Sequence, residues 1–429
     1  MKRMEALNQL KPFQARAIIE ELRKGSVPAD YVPFFTVGRD NWLTFIKDDL
    51  KNYIAQGGAK VRFLSGDYGD GKTHFMSVIR HLVLQSDFAV SFVVLTREVP
   101  IHKFEVVYQA ICRQLCGRFS GIGIRNLLAQ WLDDLAQRET VAKEQLMDLT
   151  ETLRNLSGMN ANFANALAAL AYNRFAPLNE GERQEERDAS REIILHWFEA
   201  GKVTKRELKP FGIFEVVNKT NSKQMLNSLN VFLRFRGHNG LILLLDELET
   251  VIAQSASIRN AAYENVRLLI DNSEQTQYFH IFFAIIPDVL LSEKGFKSYD
   301  ALWSRVRSIG QKTRLNYRGV LIDLHRTPLT VKELLELGRC LRHIHGISYR
   351  WDAGDAIPDE LITNVCRNQK KMGLLSEVRL FVKQIIRILD MAEQGEEPVE
   401  NLDLSEHITV SQREMEAEKV EQLQPSWDK

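Results

Sequence analysis

Apolar residues recur along the chain with two periods. Predominantly apolar stretches at 60–64, 88–95, 240–245, 278–286 and 319–324 predict β-strands. The third, Gly240-Leu241-Ile242-Leu243-Leu244-Leu245, is apolar throughout, as a parallel strand covered on both faces must be. Elsewhere the apolar positions fall three and four residues apart, which predicts helices at 13–23, 41–55, from His74 onward, and at 103–115, 258–273, 331–345, 359–370 and 376–393. Asp40 is placed to cap the second of these. Strands alternating with helices predict an α/β fold, a parallel sheet flanked by helices and followed by a C-terminal helical lid.

One stretch breaks the alternation. Two strand-helix units of about thirty residues each would bridge Lys72 and Asp246 with much to spare, so something of domain size is inserted. Helical periodicity at 124–136, 143–156 and 183–200, with almost no strand pattern, predicts a helical insertion at 117–210. Within it, 159–172 reads as a small helix and the mixed charges of 179–191 as an exposed linker. Such an insertion serves either partner contact or as a passive cap over the sheet. The expected organisation is a helical segment at 1–33, the core at 34–116 and 211–326 on either side of the insertion, the lid at 327–395, and an acidic, loosely ordered tail at 396–429.

The chemistry lies at the carboxyl ends of two predicted strands. Gly66-Asp67-Tyr68-Gly69-Asp70-Gly71-Lys72-Thr73 fits the phosphate-loop pattern in full, after a strand and before a helix. Its glycines let backbone N–H groups turn inward onto phosphate oxygens at the positive end of the helix that opens toward His74. Lys72 is expected to reach the β and γ phosphates and Thr73 to hold Mg²⁺, so the chain is expected to bind ATP or GTP through residues 66–74. The strand at 240–245 ends in Asp246-Glu247. An aspartate there can support the Mg²⁺ and the adjacent glutamate can polarise an attacking water, which makes hydrolysis the expected reaction.

Composition narrows the setting. The 429 residues are 45% hydrophobic and 26% charged, enough for a large core and two or three domains. With 56 basic and 56 acidic residues the net charge is zero, so any DNA contact must come from local basic patches such as 202–209 or 305–318. No run approaches 18 apolar residues and the start shows no signal-peptide core, so no membrane contact and a cytoplasmic location are expected. Cys112 and Cys116 sit a helical turn apart as core residues, and neither they nor Cys340 and Cys366 have metal-ligand spacing.

The phosphate loop, the strand ending in Asp-Glu, the strand after it, an arginine near a helix end and the helical lid together resemble the AAA+ ATPases. Val37-Gly38-Arg39 resembles their adenine-side motif, in the initiator branch especially. Gly66-Asp67-Tyr68-Gly69, Pro100-Ile101-His102-Lys103-Phe104-Glu105, the run from Gly240 to Asp246-Glu247-Leu248-Glu249, and Lys205-Arg206-Glu207-Leu208 with Gly212-Ile213 look like the BrxD family, ATP-binding proteins of BREX phage-defence loci. The resemblance spans 10–395.

It implies a bacterial defence ATPase that takes ATP and Mg²⁺, forms a homo-oligomer, and acts as a motor or loader on DNA or with a helicase-like partner. The alternative is a nucleotide-controlled scaffold that recruits a partner protein. Carried over by position, Arg305 resembles the finger that one subunit offers its neighbour's γ-phosphate, with Arg307 the competing candidate. Arg379 resembles the lid arginine that senses nucleotide. One departure stands out: the sensor strand of AAA+ proteins ends in a Thr or Asn, whereas Ile286 occupies that position and offers no hydrogen bond, which predicts slow or partner-gated turnover.

Overall fold

The computed structural model describes residues 7–118, 120–137, 143–177, 183–273, 276–307 and 315–395. In chain order the main elements are α1 (Pro12–Arg23), α2 (Asp40–Asn52), β1 (Ala59–Ser65), α3 (Lys72–Gln85), β2 (Ala89–Val94), α4 (Phe104–Gln114) and β3 (Leu115–Cys116). The insertion contributes α5 (Ile124–Ala136), α6 (Lys143–Asn155), α7 (Ala161–Phe175) and α8 (Gln184–Phe198). There follow α9 (Ser222–Phe235), β4 (Leu241–Asp246), α10 (Ala256–Ser273), β5 (Phe279–Ile285), α11 (Asp300–Val306), β6 (Leu321–Asp323), α12 (Val331–Tyr349), α13 (Asp359–Lys371) and α14 (Val378–Glu393). They divide into two compact units, a smaller one built from residues up to Leu43, Leu64–His81 and from Asp323 onward, and a larger one of Thr44–Phe63 and Leu82–Ile322.

The larger unit is organised by the sheet, whose order is β3-β2-β4-β5-β1-β6. The outer residues of β1 and β6 pass into the smaller unit. β2, β4 and β5 are parallel, with Ala89 opposite Leu241 and Leu241 opposite Phe279. All six residues of β4 are buried, which is why its sequence is apolar without alternation. Leu241, Leu243 and Leu245 join one apolar cluster with Phe279, Ile281 and Phe283 and with Trp131, Phe163 and Trp197 of the insertion. Trp131 meets Phe232 edge-on at 5.2 Å, and Phe163 meets Phe198 at 5.0 Å. The insertion helices therefore share the core of the sheet. Truncating a ring such as Trp197, 1% exposed, would cost about 3–5 kcal/mol.

The smaller unit is a helical cluster around α12. Ile18, Ile19 and Leu22 of α1, Leu337, Leu341 and Ile344 of α12, and Phe381, Ile385 and Leu389 of α14 form its core. Thr330 caps α12 by accepting from the Glu333 N–H, while the Glu333 carboxylate returns to the Thr330 N–H at 2.7 Å.

Four local expectations shift. The helix predicted over 103–115 stops at Gln114, because Leu115 and Cys116 pair antiparallel with Ser91 and Val90. Cys112 and Cys116 are consequently not on one helical stripe, although both are buried. The linker expected at 179–191 is helical from Gln184, where Glu185 and Glu186 suit the positive end of α8. The helix expected to end at 345 continues to Tyr349 and closes on Arg350 at φ 58°. The tail at 396–429, with Lys312 and Arg314, lies outside the described residues.

Candidate nucleotide-binding site

β1 ends at Ser65 and α3 begins at Lys72, and the loop between them lies in the smaller unit. Gly69 and Gly71 take φ of 93° and 87°, a region that side chains disfavour, and this turns the loop back over the start of α3. The Asp70 side chain, 1% exposed, folds inward so that its Oδ2 accepts from the Asp67 N–H at 2.8 Å. Its Oδ1 is buried with no hydrogen-bond partner among the described residues, and burial pushes its carboxyl above the usual carboxylate range. The Lys72 amine lies inside the loop, donating to the carbonyls of Gly66 at 2.9 Å and Asp67 at 3.3 Å and resting 5.1 Å from the Tyr68 ring centre. Thr73 follows in the first turn of α3.

Two other parts of the smaller unit close on this loop. Arg39 donates from its guanidinium to the Asp70 carbonyl at 2.6 Å and lies 5.7 Å from the Phe75 ring centre. Burial lowers its pKa to about 10, with Asp70 and Glu333 opposing that shift, so it remains cationic at neutral pH. Gly38, φ 67°, disfavours anything larger, since a Cβ would lie 2.5 Å from the Glu333 carboxylate and 2.7 Å from Leu329. From the lid, the Arg379 N–H donates to the Gly69 carbonyl at 3.1 Å. The Arg379 guanidinium has no hydrogen-bond or ion-pair partner among the described residues.

Beside the Val37-Gly38-Arg39 turn is a cleft of about 190 Å³ lined by Val32, Pro33, Thr36, Gly38, Asp40, Leu43, Val78 and His81. Its apolar walls and size suit a heterocyclic base rather than a whole nucleotide. His74 does not face it as a cation. Its ring packs on Phe35 at 5.2 Å and meets the Thr36 hydroxyl at 3.0 Å, and desolvation, with Arg39 nearby, pushes its pKa down to about 3. Its place is to tie α3 to the turn that forms the cleft wall. The sequence reading missed His325, whose Nδ1 lies 3.4 Å from Asp67 and 3.7 Å from Asp70. The only signal for it was its position just past β6.

The larger unit holds the remaining candidates. Asp246, 2% exposed, ends β4, and its Oδ1 accepts from the Glu247 N–H at 2.9 Å. Glu247 has φ 63° and ψ 36°, a left-handed conformation costing about 1–3 kcal/mol, and Thr250 holds its carbonyl through both N–H and hydroxyl. Ile286 caps the turn at Pro287 and packs on the apolar cluster, as its side chain demands. The Arg305 guanidinium is bound by both carboxylate oxygens of Asp271 and by the Ala301 carbonyl. Asp271 also accepts from Arg267, which forks onto Glu264 together with the Tyr299 hydroxyl. Arg307 is exposed at the end of α11 with no side-chain partner among the described residues.

The residues of the smaller unit fit a nucleotide triphosphate: left-handed glycines, a helix start, a buried amine already directed into the loop and an unpaired lid guanidinium. Thr73 lies in the smaller unit and Asp246 in the larger. The family described as BREX system ATP-binding protein BrxC/D matches residues 10–410. No curated protein and no solved structure matches the chain.

Proposed function

Because the chain belongs to the BREX system ATP-binding protein BrxC/D family, we propose that it hydrolyses the ATP it binds and, as a homo-oligomer, uses turnover to act on DNA or on a DNA-bound, helicase-like partner. The observation that carries this is the convergence on one loop: Arg39 holds the Asp70 carbonyl and the lid backbone at Arg379 holds the Gly69 carbonyl. A change of contents in the phosphate loop is thereby felt at once by the adenine-side turn and by the lid.

In this reading Lys72 holds the β and γ phosphates, Arg379 the γ phosphate, and the cleft by Gly38 the base. Thr73 in the smaller unit would be a ligand to Mg²⁺, which would supply charge neutralisation at the phosphates, and Asp246 is the separate candidate ligand of the larger unit. Glu247 accepts the proton of the attacking water, its strained backbone fixing where the carboxylate is presented. The network Arg305–Asp271–Arg267–Glu264 favours a second reading, the nucleotide-controlled scaffold, because it already satisfies the guanidinium expected to serve a neighbouring subunit. Ile286 favours it too, since its side chain packs on the apolar cluster and offers no hydrogen bond at the end of β5.

ATP turnover and nucleotide binding by the wild type, Lys72→Ala and Glu247→Gln test the proposal. Lys72→Ala is expected to lose both, and Glu247→Gln to bind but not turn over. Wild-type turnover at the level of Lys72→Ala would leave the scaffold standing, and full turnover in Glu247→Gln would remove it as the base.

A further inference from the structure

The insertion carries a second cluster of cations, built differently. Thr204 caps the single turn Lys205–Leu208, its hydroxyl accepting from the Glu207 N–H at 3.3 Å while the Glu207 carboxylate accepts from the Thr204 N–H at 2.8 Å. The turn continues through Lys209–Phe211 and stops at Gly212, φ 68°. Asn165 holds that stop by donating to the Gly212 carbonyl at 2.7 Å, and Asn162 accepts from the Phe214 N–H at 2.8 Å. The backbone from 204 to 214 is therefore pinned at both ends by side chains.

What this fixed backbone displays is positive. Lys202, Lys205, Arg206 and Lys209 are all exposed, and none has a hydrogen-bond or ion-pair partner among the described residues. The acid within the turn, Glu207, is engaged in the cap. Arg154 is brought to the same place, since its Nε donates to the Asn165 oxygen at 2.8 Å and Asn165 reaches Gly212. A fold whose net charge is zero has here gathered five cations on a rigid ledge. Elsewhere in the same unit ion pairs hold arginines such as Arg118, Arg125 and Arg236. Unpaired, pre-ordered cations match a chain of regularly spaced monoanions.

We propose that Lys202, Lys205, Arg206, Lys209 and Arg154 form a docking surface for the phosphate backbone of DNA. This names the surface that the DNA-linked reading above requires, and rests on it. Phe214, 61% exposed beside the turn, adds a ring on which an unpaired base can lie.

The test is fluorescence anisotropy of a short labelled duplex and of its single strand, titrated with full-length protein across a salt series. The variant is Lys202→Gln/Lys205→Gln/Arg206→Gln/Lys209→Gln, with thermal melting and ATP turnover measured alongside. The wild type is expected to bind with affinity that falls steeply with salt. The variant should bind at least about tenfold more weakly, with a log–log salt slope smaller by about 3 to 4, since each phosphate that is no longer neutralised removes about 0.9. If it fails to fold, the single changes Lys205→Gln and Lys209→Gln should each lower the slope by about 0.9. DNA binding with an unchanged slope in the variant overturns the surface alone. No DNA binding by an active wild-type ATPase overturns the surface and the DNA-linked reading together, and loss of turnover with DNA binding intact overturns only the hydrolysis.

Discussion

The cations of the phosphate loop and those of the 202–209 turn differ in what surrounds them before any ligand arrives. Lys72 is 8% exposed and donates to two loop carbonyls, and Arg39 donates to a third. Lys202, Lys205, Arg206 and Lys209 project into solvent with no described partner. Carbonyls hold a buried cation where a single phosphate group of fixed geometry must meet it, and little ordering entropy remains to be lost on binding. A polyanion that slides or changes register is met by charges that stay hydrated and mobile at their tips while their backbone is fixed.

The comparison breaks most sharply at Lys72. Lys72→Ala is expected to reduce nucleotide binding beyond detection, whereas the four-site variant of the turn leaves nucleotide affinity within about twofold. Isothermal titration of both decides it, and equal losses would erase the distinction between the two cation clusters.

Arg305 is the next largest effect, and it belongs to neither class: exposed by position, yet saturated by Asp271 and Ala301. If it serves a neighbouring subunit it must leave those bonds. Arg305→Ala is then expected to cut turnover by about 10²-fold or more with binding retained, and mixing with Glu247→Gln should restore part of the rate. Asp271→Asn should raise turnover in the assembled protein. Should both variants only lower stability, by the roughly 1 kcal/mol of a part-exposed pair, Arg305 is a staple between α10 and α11, and Arg307 becomes the residue to test.

Gly38 sharpens the nucleotide side. Gly38→Ala sets a Cβ against Glu333 and Leu329 at a positive φ, so the turn must shift away from the lid. The expected cost is about 1–3 kcal/mol of stability, with ATP binding about tenfold weaker; an unchanged affinity would mean that the cleft beside Gly38 does not hold the base.

The phosphate loop, β4 with its Asp-Glu end and the lid helices were legible in the sequence because each is specified by neighbouring residues. A glycine spacing, an unbroken apolar run and an apolar stripe need no distant partner. What was not legible depends on pairs far apart in the chain. Arg39 reaches a carbonyl 31 residues away, and the Arg379 N–H reaches Gly69 from the other end of the chain. The two-residue strand β3 exists only because Val90 and Ser91 offer it an edge. Nothing around Arg305 announced that Asp271 would hold it, since both sit on charged helix faces of ordinary composition.

The smallest expected effect concerns His74, the residue that joins α3 to the cleft wall. Its pKa falls from an ordinary 6.5 to about 3 in the folded chain, because the half-buried ring is desolvated and Arg39 repels its charged form. Between these two values the unfolded chain takes up a proton that the folded chain refuses, so stability is full above pH 6.5 and declines as the pH falls toward 3. At pH 5 the loss from this group amounts to about 1–2 kcal/mol. His74→Gln keeps a hydrogen bond for Thr36 but cannot titrate, so its melting point should fall less than that of the wild type between pH 7.5 and pH 5. Parallel curves for the two proteins would mean that His74 is protonated in place, and that the turn holding the cleft is open enough to solvate it.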